Sequence, residues 1–311
     1  MSGPIVLVCG IPTESPVALV LDALADRGTP FVVFNQRAFA EASLQVELAD
    51  GEVGGELRCG RTLVALDQVV GVYTRLMDDR QLPEWQALAE GSSERQHCRS
   101  LHDALLQWIE VTPARVVNRT ASMASNSSKP YQAQIIARHG FRVPETLVTN
   151  DPEEVRAFKA RHGKVIYKSA SGIRSIVRML TDDDLLRLER IRWCPTQFQA
   201  HCAGVDVRVH VVGDEVFATR IATDGVDYRY ANREGGLTTL HAMDLEADVA
   251  ERCIALTRTL GLAFGGVDLR RTPDGDWVCF EVNPSPGFSF YESSTGQPIS
   301  QAVAGYLTGR S

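Results

Sequence analysis

The chain has 311 residues, too many for one small domain and enough for two or three of roughly 100–200 residues each. Its 44% hydrophobic and 23% charged residues are an ordinary globular composition, which excludes wholesale disorder. Thirty-two Lys and Arg against 39 Asp and Glu give a net charge of −7, which argues against a protein held on nucleic acid by a basic field. No stretch approaches the roughly 18 unbroken apolar residues of a membrane span. The start, Met1-Ser2-Gly3-Pro4-Ile5, lacks a basic-then-apolar export signal, so a soluble cytoplasmic protein is expected. The seven cysteines form no C-x-x-C pair, and reduced, structural thiols without zinc are expected.

In chain order, Ile5-Val6-Leu7-Val8 reads as a buried strand. Ser15 is expected to cap a helix that has Pro16 at its first position, runs to about Asp26 and ends before Gly28. Phe31–Phe34 and Val69–Thr74 follow as strands, and strand–helix–strand order with short links implies an open parallel sheet. The turn after the first strand, Cys9-Gly10-Ile11-Pro12, is not G-x-G-x-x-G, which argues against a dinucleotide site. A helix spans about Glu94 to Glu110, and the Ser- and Asn-rich segment Asn118 to Lys129 reads as a linker. Pro130 to His139 then reads as a helix closed by Gly140. Lys164–Lys168 and Ile173–Leu180 are expected strands around Ser169-Ala170-Ser171-Gly172. Strands alternate from Val205, with a helix from about Leu245 to Leu260.

The stretch Gly266 to Asn283, GVDLRRTPDGDWVCFEVN, reads as a hairpin. Asp274-Gly275 is a strong two-residue turn, and centring the loop there sets Asp268 opposite Glu281 and Arg271 opposite Val278. Alternation then places Val267, Leu269, Val278, Phe280 and Val282 on one face, and Asp268, Arg270, Glu281 and Asn283 on the other. The apolar face is core. The polar face is either a half-solvated hairpin surface or a set of hard oxygen ligands of the kind magnesium takes. The exit Asn283-Pro284-Ser285-Pro286-Gly287, with two prolines, favours a positioned site.

Lys168 enters a turn of small residues whose N–H groups can approach an anion, and Lys129 precedes a helix start. Both are otherwise surface lysines. Asp206, Arg208 and His210 share one strand face, with Val205, Val207, Val209 and Val211 on the other as core. Arg208 either counters a phosphate or pairs with a neighbouring carboxylate. His201 and His210 read as hydrogen-bonding residues rather than ligands. Arg229 lies in the loop Asp227-Tyr228-Arg229-Tyr230.

From about residue 118 onward the chain resembles the ATP-grasp superfamily, in particular the ligases that add glutamate to a ribosomal protein and the microviridin-type peptide cyclases. The resemblance is carried by SSKPYQAQIIARHGFRVPETLV (127–148), GKVIYKSASGIRSIV (163–177), GVDVRVHVVGDEVFATRI (204–221) and GGVDLRRTPDGDWVCFEVNPSPG (265–287). ESSTGQPISQAV, from Glu292, resembles the closing region of the peptide-modifying branch.

The resemblance implies an α/β fold, α+β in its C-terminal half, with an N-terminal open-sheet domain (1–118), a central lid domain (119–200) and a C-terminal domain (201–311) that carries the metal site. It implies that Lys129, Lys168, Ser169 and Gly172 meet the ATP phosphates. Gln199, Ala200, His201 and Cys202 would border the adenine, with Asp206 beside them. Asp268, Glu281 and Asn283 would hold magnesium or manganese. Arg229 would sit near the transferred phosphoryl group or the activated acyl intermediate, and Arg208 would be catalytic with it. Two departures stand out: a single glycine in the loop after Lys168, and Ala200 where a glutamate is common.

The chemistry implied is formation of an acyl phosphate and its displacement by an amine or hydroxyl, with ADP released. The substrate would be a ribosomally made peptide. The alternatives are a ligase of free amino acids or another small acid, and a non-catalytic nucleotide-binding module. The segments Tyr73-Thr74-Arg75 and Asp78-Asp79 would face the acceptor. A homodimer is implied, with no nucleic-acid or membrane partner.

Overall fold

The structure is a computed structural model that describes residues 3–169, 177–223 and 238–309, with backbone alone at Ser169 and Thr223. Strands β1 (Ile5–Gly10), β2 (Phe31–Asn35), β6 (Val69–Thr74) and β7 (Arg115–Val117) form a parallel sheet in the order β2-β1-β6-β7. β1 is buried along its whole length because both faces of the sheet are covered. Ile5, Leu7 and Cys9 pack toward the helix Ser93–Val111, and Val6 and Val8 toward the helices Ser15–Asp26 and Ile299–Thr308. A second, antiparallel sheet of β3 (Ala42–Ala49), β4 (Glu52–Cys59) and β5 (Thr62–Ala65), not foreseen in the sequence, closes the first of these cores.

Two local expectations change. Ser15 is the first helical residue and Glu14 takes the cap position, without a side-chain capping bond. The Glu14 carboxylate instead accepts two hydrogen bonds from Arg75. The expected linker is helical: Thr120–Met123 and Ala124–Ser127 make two short turns before the helix Lys129–Arg138. Neither short turn has a side-chain cap of its own; Ala121 N donates to Glu110, and Ser128 Oγ caps the helix that follows by accepting from Tyr131 N.

β8 (Thr146–Thr149), β9 (Val165–Ser169), β10 (Arg178–Met179) and β11 (Thr196–Ala200) form an antiparallel sheet in the order β10-β9-β11-β8. The helix Pro152–His162 covers it through Val155 and Phe158. Of the expected strand 173–180, Arg178–Met179 is a strand, and 173–176 lie outside the described residues.

β12 (Val205–Val212), β13 (Glu215–Thr223), β14 (Thr238–Met243), β15 (Phe264–Arg271) and β16 (Trp277–Asn283) form the largest sheet, in the order β14-β13-β12-β15-β16. Val207, Val209 and Val211 meet the helices Ala247–Thr259 and Lys129–Arg138 in its core, whereas Val205, at the strand end, is 40% exposed. All seven cysteines are free thiols. Among the described residues no helix is long and apolar enough to cross a membrane.

The β15–β16 hairpin departs from the expected register in two places. Thr272 N donates to Asp276 O at 2.9 Å and Gly275 N to Thr272 O at 3.0 Å, so the loop has three residues, Pro273 to Gly275. Pro273 would flank a two-residue loop and has no N–H to close it, and Asp274 does not take a positive φ, leaving the positive value (89°) to Gly275 alone. Arg271 therefore faces Trp277, not Val278. An irregularity between Asp268 and Leu269 then takes up one extra residue on β16, and Asp268 faces Glu281 as expected. Between the two irregularities the faces of β16 exchange, while Leu269 and Arg270 of β15 keep theirs. Trp277 and Cys279 enter the core, and Phe280, expected there, lines the opposite cleft.

Candidate nucleotide and metal site

A cleft is lined by Ile166 and Lys168 of β9, Gln199 of β11, His201, Asp206 of β12, and Asp268, Arg270, Phe280 and Glu281 of the hairpin. β9 contributes alternate residues, as the pleat requires, whereas Phe280 and Glu281 are neighbours on β16 that its irregularity brings to one wall. Arg270 Nε donates to Asp206 at 2.7 Å and its Nη1 to the Cys202 carbonyl at 2.7 Å, while its guanidinium lies 5.0 Å from the Phe280 ring centre. Arginine can do all three because its planar fork both hydrogen-bonds and stacks.

The carboxylates Asp268 and Glu281 stand directly opposite each other, and each meets a cation. Lys129 Nζ is 2.8 Å from Glu281, and Arg208 Nη1 is 2.5 Å from Asp268. The Arg208 guanidinium lies over Gly266, where a Cβ would stand 2.4 Å from Nη2, so the glycine makes room for it. Asn283 faces Gly266, and its Oδ1 accepts from Ser285 N at 2.9 Å, which fixes the oxygen end of the amide. Burial, then Arg270 and Lys164, hold the His201 imidazole below its usual pKa, so it is neutral at pH 7. Burial pushes the Cys202 thiol up, which keeps it protonated.

Among the described residues no cluster of three His, Cys, Asp or Glu side chains has metal-binding geometry. The donor set is two carboxylates and an amide oxygen, which fits magnesium, an ion that keeps several waters and takes phosphate oxygens for the rest. Lys129 and Arg208 already balance the charge of this pair, so a metal held there would come with the negative charge of the phosphates it takes.

Of the expected site residues, Lys168, Gln199, His201, Asp206, Asp268 and Glu281 line the cleft. Lys129 and Arg208 reach it through their carboxylate partners. Ala200 and Cys202 do not line it: Ala200 N donates to Glu145 O, and the Cys202 carbonyl accepts from Arg270. Ser169 ends β9 opposite Thr196. Gly172 and Arg229 lie outside the described residues. Arg270 and Phe280 were missed. Alternation already put Arg270 on the acidic face, but nothing local marks the irregularity that turns Phe280 toward it.

The family model described as a RimK-like ATP-grasp domain matches residues 126–307, and the chain belongs to that family. It is 29% identical over 244 residues to a probable alpha-L-glutamate ligase of Klebsiella pneumoniae (strain 342), covering 73% of this chain and 78% of that one. A probable alpha-L-glutamate ligase of Rhodopirellula baltica is 28% identical over 217 residues, 66% of this chain, and the match spans about half (53%) of that relative's length. Among solved structures, the ATP-grasp ligase PsnB complexed with a minimal precursor superposes with a TM-score of 0.77 at 29% identity, covering 100% of both chains. A RiPP-associated ATP-grasp ligase of Chryseobacterium gregarium, solved with ADP and a leader and core peptide, gives 0.84 at 20% identity over 98% of this chain and 97% of that one. The fold is thus the ATP-grasp fold.

Proposed function

We propose that this chain is an ADP-forming ligase that activates a carboxylate of a ribosomally made peptide as an acyl phosphate and joins it to an amine or hydroxyl. The observation that carries this reading is the opposed pair Asp268 and Glu281 at the cleft, each contacted by a cation. Catalysis of phosphoryl transfer consists mainly of positioning and charge stabilisation, and this wall offers both.

Lys168, Lys129, Ser169 and Gly172 hold the phosphates of ATP. The neutral His201 and Gln199 border the base, with Phe280 and Ile166 as apolar walls. Asp206, tied to Arg270, supports that rim. Asp268, Glu281 and Asn283 hold magnesium, or manganese, which when bound neutralises phosphate charge. Arg208 and Arg229 stand by the phosphoryl group. The division at 118/119 and 200/201 is supported by strand pairing, since each sheet lies within one of the three spans.

A peptide substrate is favoured by the full-length likeness to PsnB, which was solved with its precursor. A free amino-acid acceptor is the second reading, favoured by the relatives named as glutamate ligases. A complete donor set argues against a non-catalytic module. A homodimer is tested by sedimentation of the purified chain.

Hydroxylamine decides the reaction type, because it converts an acyl phosphate to a hydroxamate and leaves a phosphoester intact. With ATP, magnesium and a precursor peptide, the expected products are ADP and a hydroxamate on an Asp, Glu or C-terminal carboxylate. Release of AMP, or a stable phosphorylated peptide without hydroxamate, overturns the reading.

A further inference from the structure

The loop after Asn283 has little means of anchoring itself. Pro284 and Pro286 carry no N–H, and the Ser285 N–H is used on Asn283 Oδ1. Its fixed points must therefore be acceptors, met by donors from elsewhere in the chain. Those donors come from the carboxyl edge of the parallel sheet, the edge where open α/β sheets present their loops. Arg75 directly follows β6 and Asn118 directly follows β7. Arg75 Nη1 donates to Ser285 Oγ at 3.1 Å and to Pro286 O at 3.3 Å, while its Nε and Nη2 hold Glu14 at 3.0 and 2.6 Å. Asn118 Nδ2 donates to Pro284 O and Phe264 O, both at 2.6 Å. Its Oδ1 accepts from Ala263 N at 2.8 Å and Phe264 N at 3.1 Å.

Three successive loop residues thus each accept a hydrogen bond from the N-terminal sheet, immediately after Asn283. Asn118 is 3% exposed and uses both ends of its amide, so it ties the start of β15 to the end of β16. The Arg75 side chain is 15% exposed and spans two partners at once, which the single point charge of a lysine does not reproduce. The loop also reaches Gly266, over which Arg208 lies: a Cβ there would meet both the Arg208 guanidinium and Pro286 Cβ, the latter at 2.8 Å.

We propose that Arg75 and Asn118 are positioning residues for the metal site, through which the N-terminal sheet fixes the Asn283 end of β16. This rests on the reading of Asp268, Glu281 and Asn283 as magnesium ligands. Partners that orient a metal ligand commonly set metal affinity, whereas a purely structural clamp sets only stability.

The test is calorimetric titration of the full chain with ADP at a series of magnesium concentrations, and once without magnesium, alongside thermal melting. In Arg75→Gln the magnesium needed for half-maximal enhancement of ADP binding should rise about tenfold, with metal-free ADP affinity unchanged. Ser285→Ala, which removes one acceptor and leaves the Arg75–Glu14 pair, should shift the same way by less, and it decides the matter if Arg75→Gln does not fold. Folded variants that melt lower but keep the wild-type magnesium dependence overturn the proposal. Glu281→Gln separates the two layers: it should abolish the magnesium dependence, and if it does not, the ligand reading beneath the proposal fails.

Discussion

His210 has a fully buried imidazole, and neither ring nitrogen has a hydrogen-bond partner among the described residues. It lies edge-on to Tyr291 at 4.8 Å and near Phe264 at 6.1 Å, so it packs as an aromatic ring. Burial, and then Arg208, hold its pKa well below the usual 6.5. The folded state keeps it neutral, whereas the unfolded state takes up a proton below about pH 6.5. The unfolded state then binds more protons, so this residue makes stability fall as the pH falls below that value, by at most about 1.4 kcal/mol per pH unit. His210→Phe keeps the ring and removes the titration. Urea unfolding at pH 7.5 and 5.5 should show a smaller acid loss in the variant than in the wild type. Equal losses would place the acid sensitivity elsewhere.

At the level of the strand, β9 distinguishes two lysines that the sequence treats alike. Lys164 is exposed just before the strand, with its carbonyl tied to His201 N, while Lys168 lines the cleft. Calorimetry with ADP and magnesium should find affinity reduced far more by Lys168→Ala than by Lys164→Ala. Comparable losses would contradict a phosphate-binding role for the end of β9. The hairpin shows the same dependence on single positions. Its three-residue turn, one longer than expected, and its later irregularity offset each other, so Asp268 keeps its partner Glu281 while Trp277 to Phe280 of β16 change faces.

Across the whole molecule, the chain's end packs against its beginning. Ala302, Val303 and Leu307 of the helix Ile299–Thr308 share one core with Val6, Val8 and Val20, and with Phe217 and Phe264 of the largest sheet. Gly71 of β6 allows this closeness, since a Cβ there would lie 2.4 Å from the Leu307 carbonyl oxygen. Backbone cannot yield as a flexible side chain would. Gly71→Ala should therefore cost about 1–3 kcal/mol in urea unfolding, the range for overpacking, while ADP affinity in the folded protein stays the same. Unchanged stability would mean that the helix shifts freely and does not tie the two ends together.

Sequence alone determined what depends on near neighbours. Alternating valines predicted β12, the Asp-Gly turn region predicted the hairpin, and the apolar runs with Pro16 and Gly28 predicted the first βαβ unit, because pleat, turn and helix end are local properties. The same locality made the opposed carboxylates legible, together with the resemblance that covers the second half. Tertiary structure decided the rest. Whether Asn118 to Lys129 coils or turns depended on partners elsewhere in the chain, such as Glu110 for Ala121 N, and Glu14 holds the cap position expected of Ser15 while its carboxylate binds Arg75. The cleft needed pairs that lie far apart in the chain: Asp206 with Arg270, Lys129 with Glu281, and Asn118 with Pro284. No local pattern encodes such a pair, because each side chain alone is equally at home in water. Only burial against one particular partner makes the contact worth more than hydration.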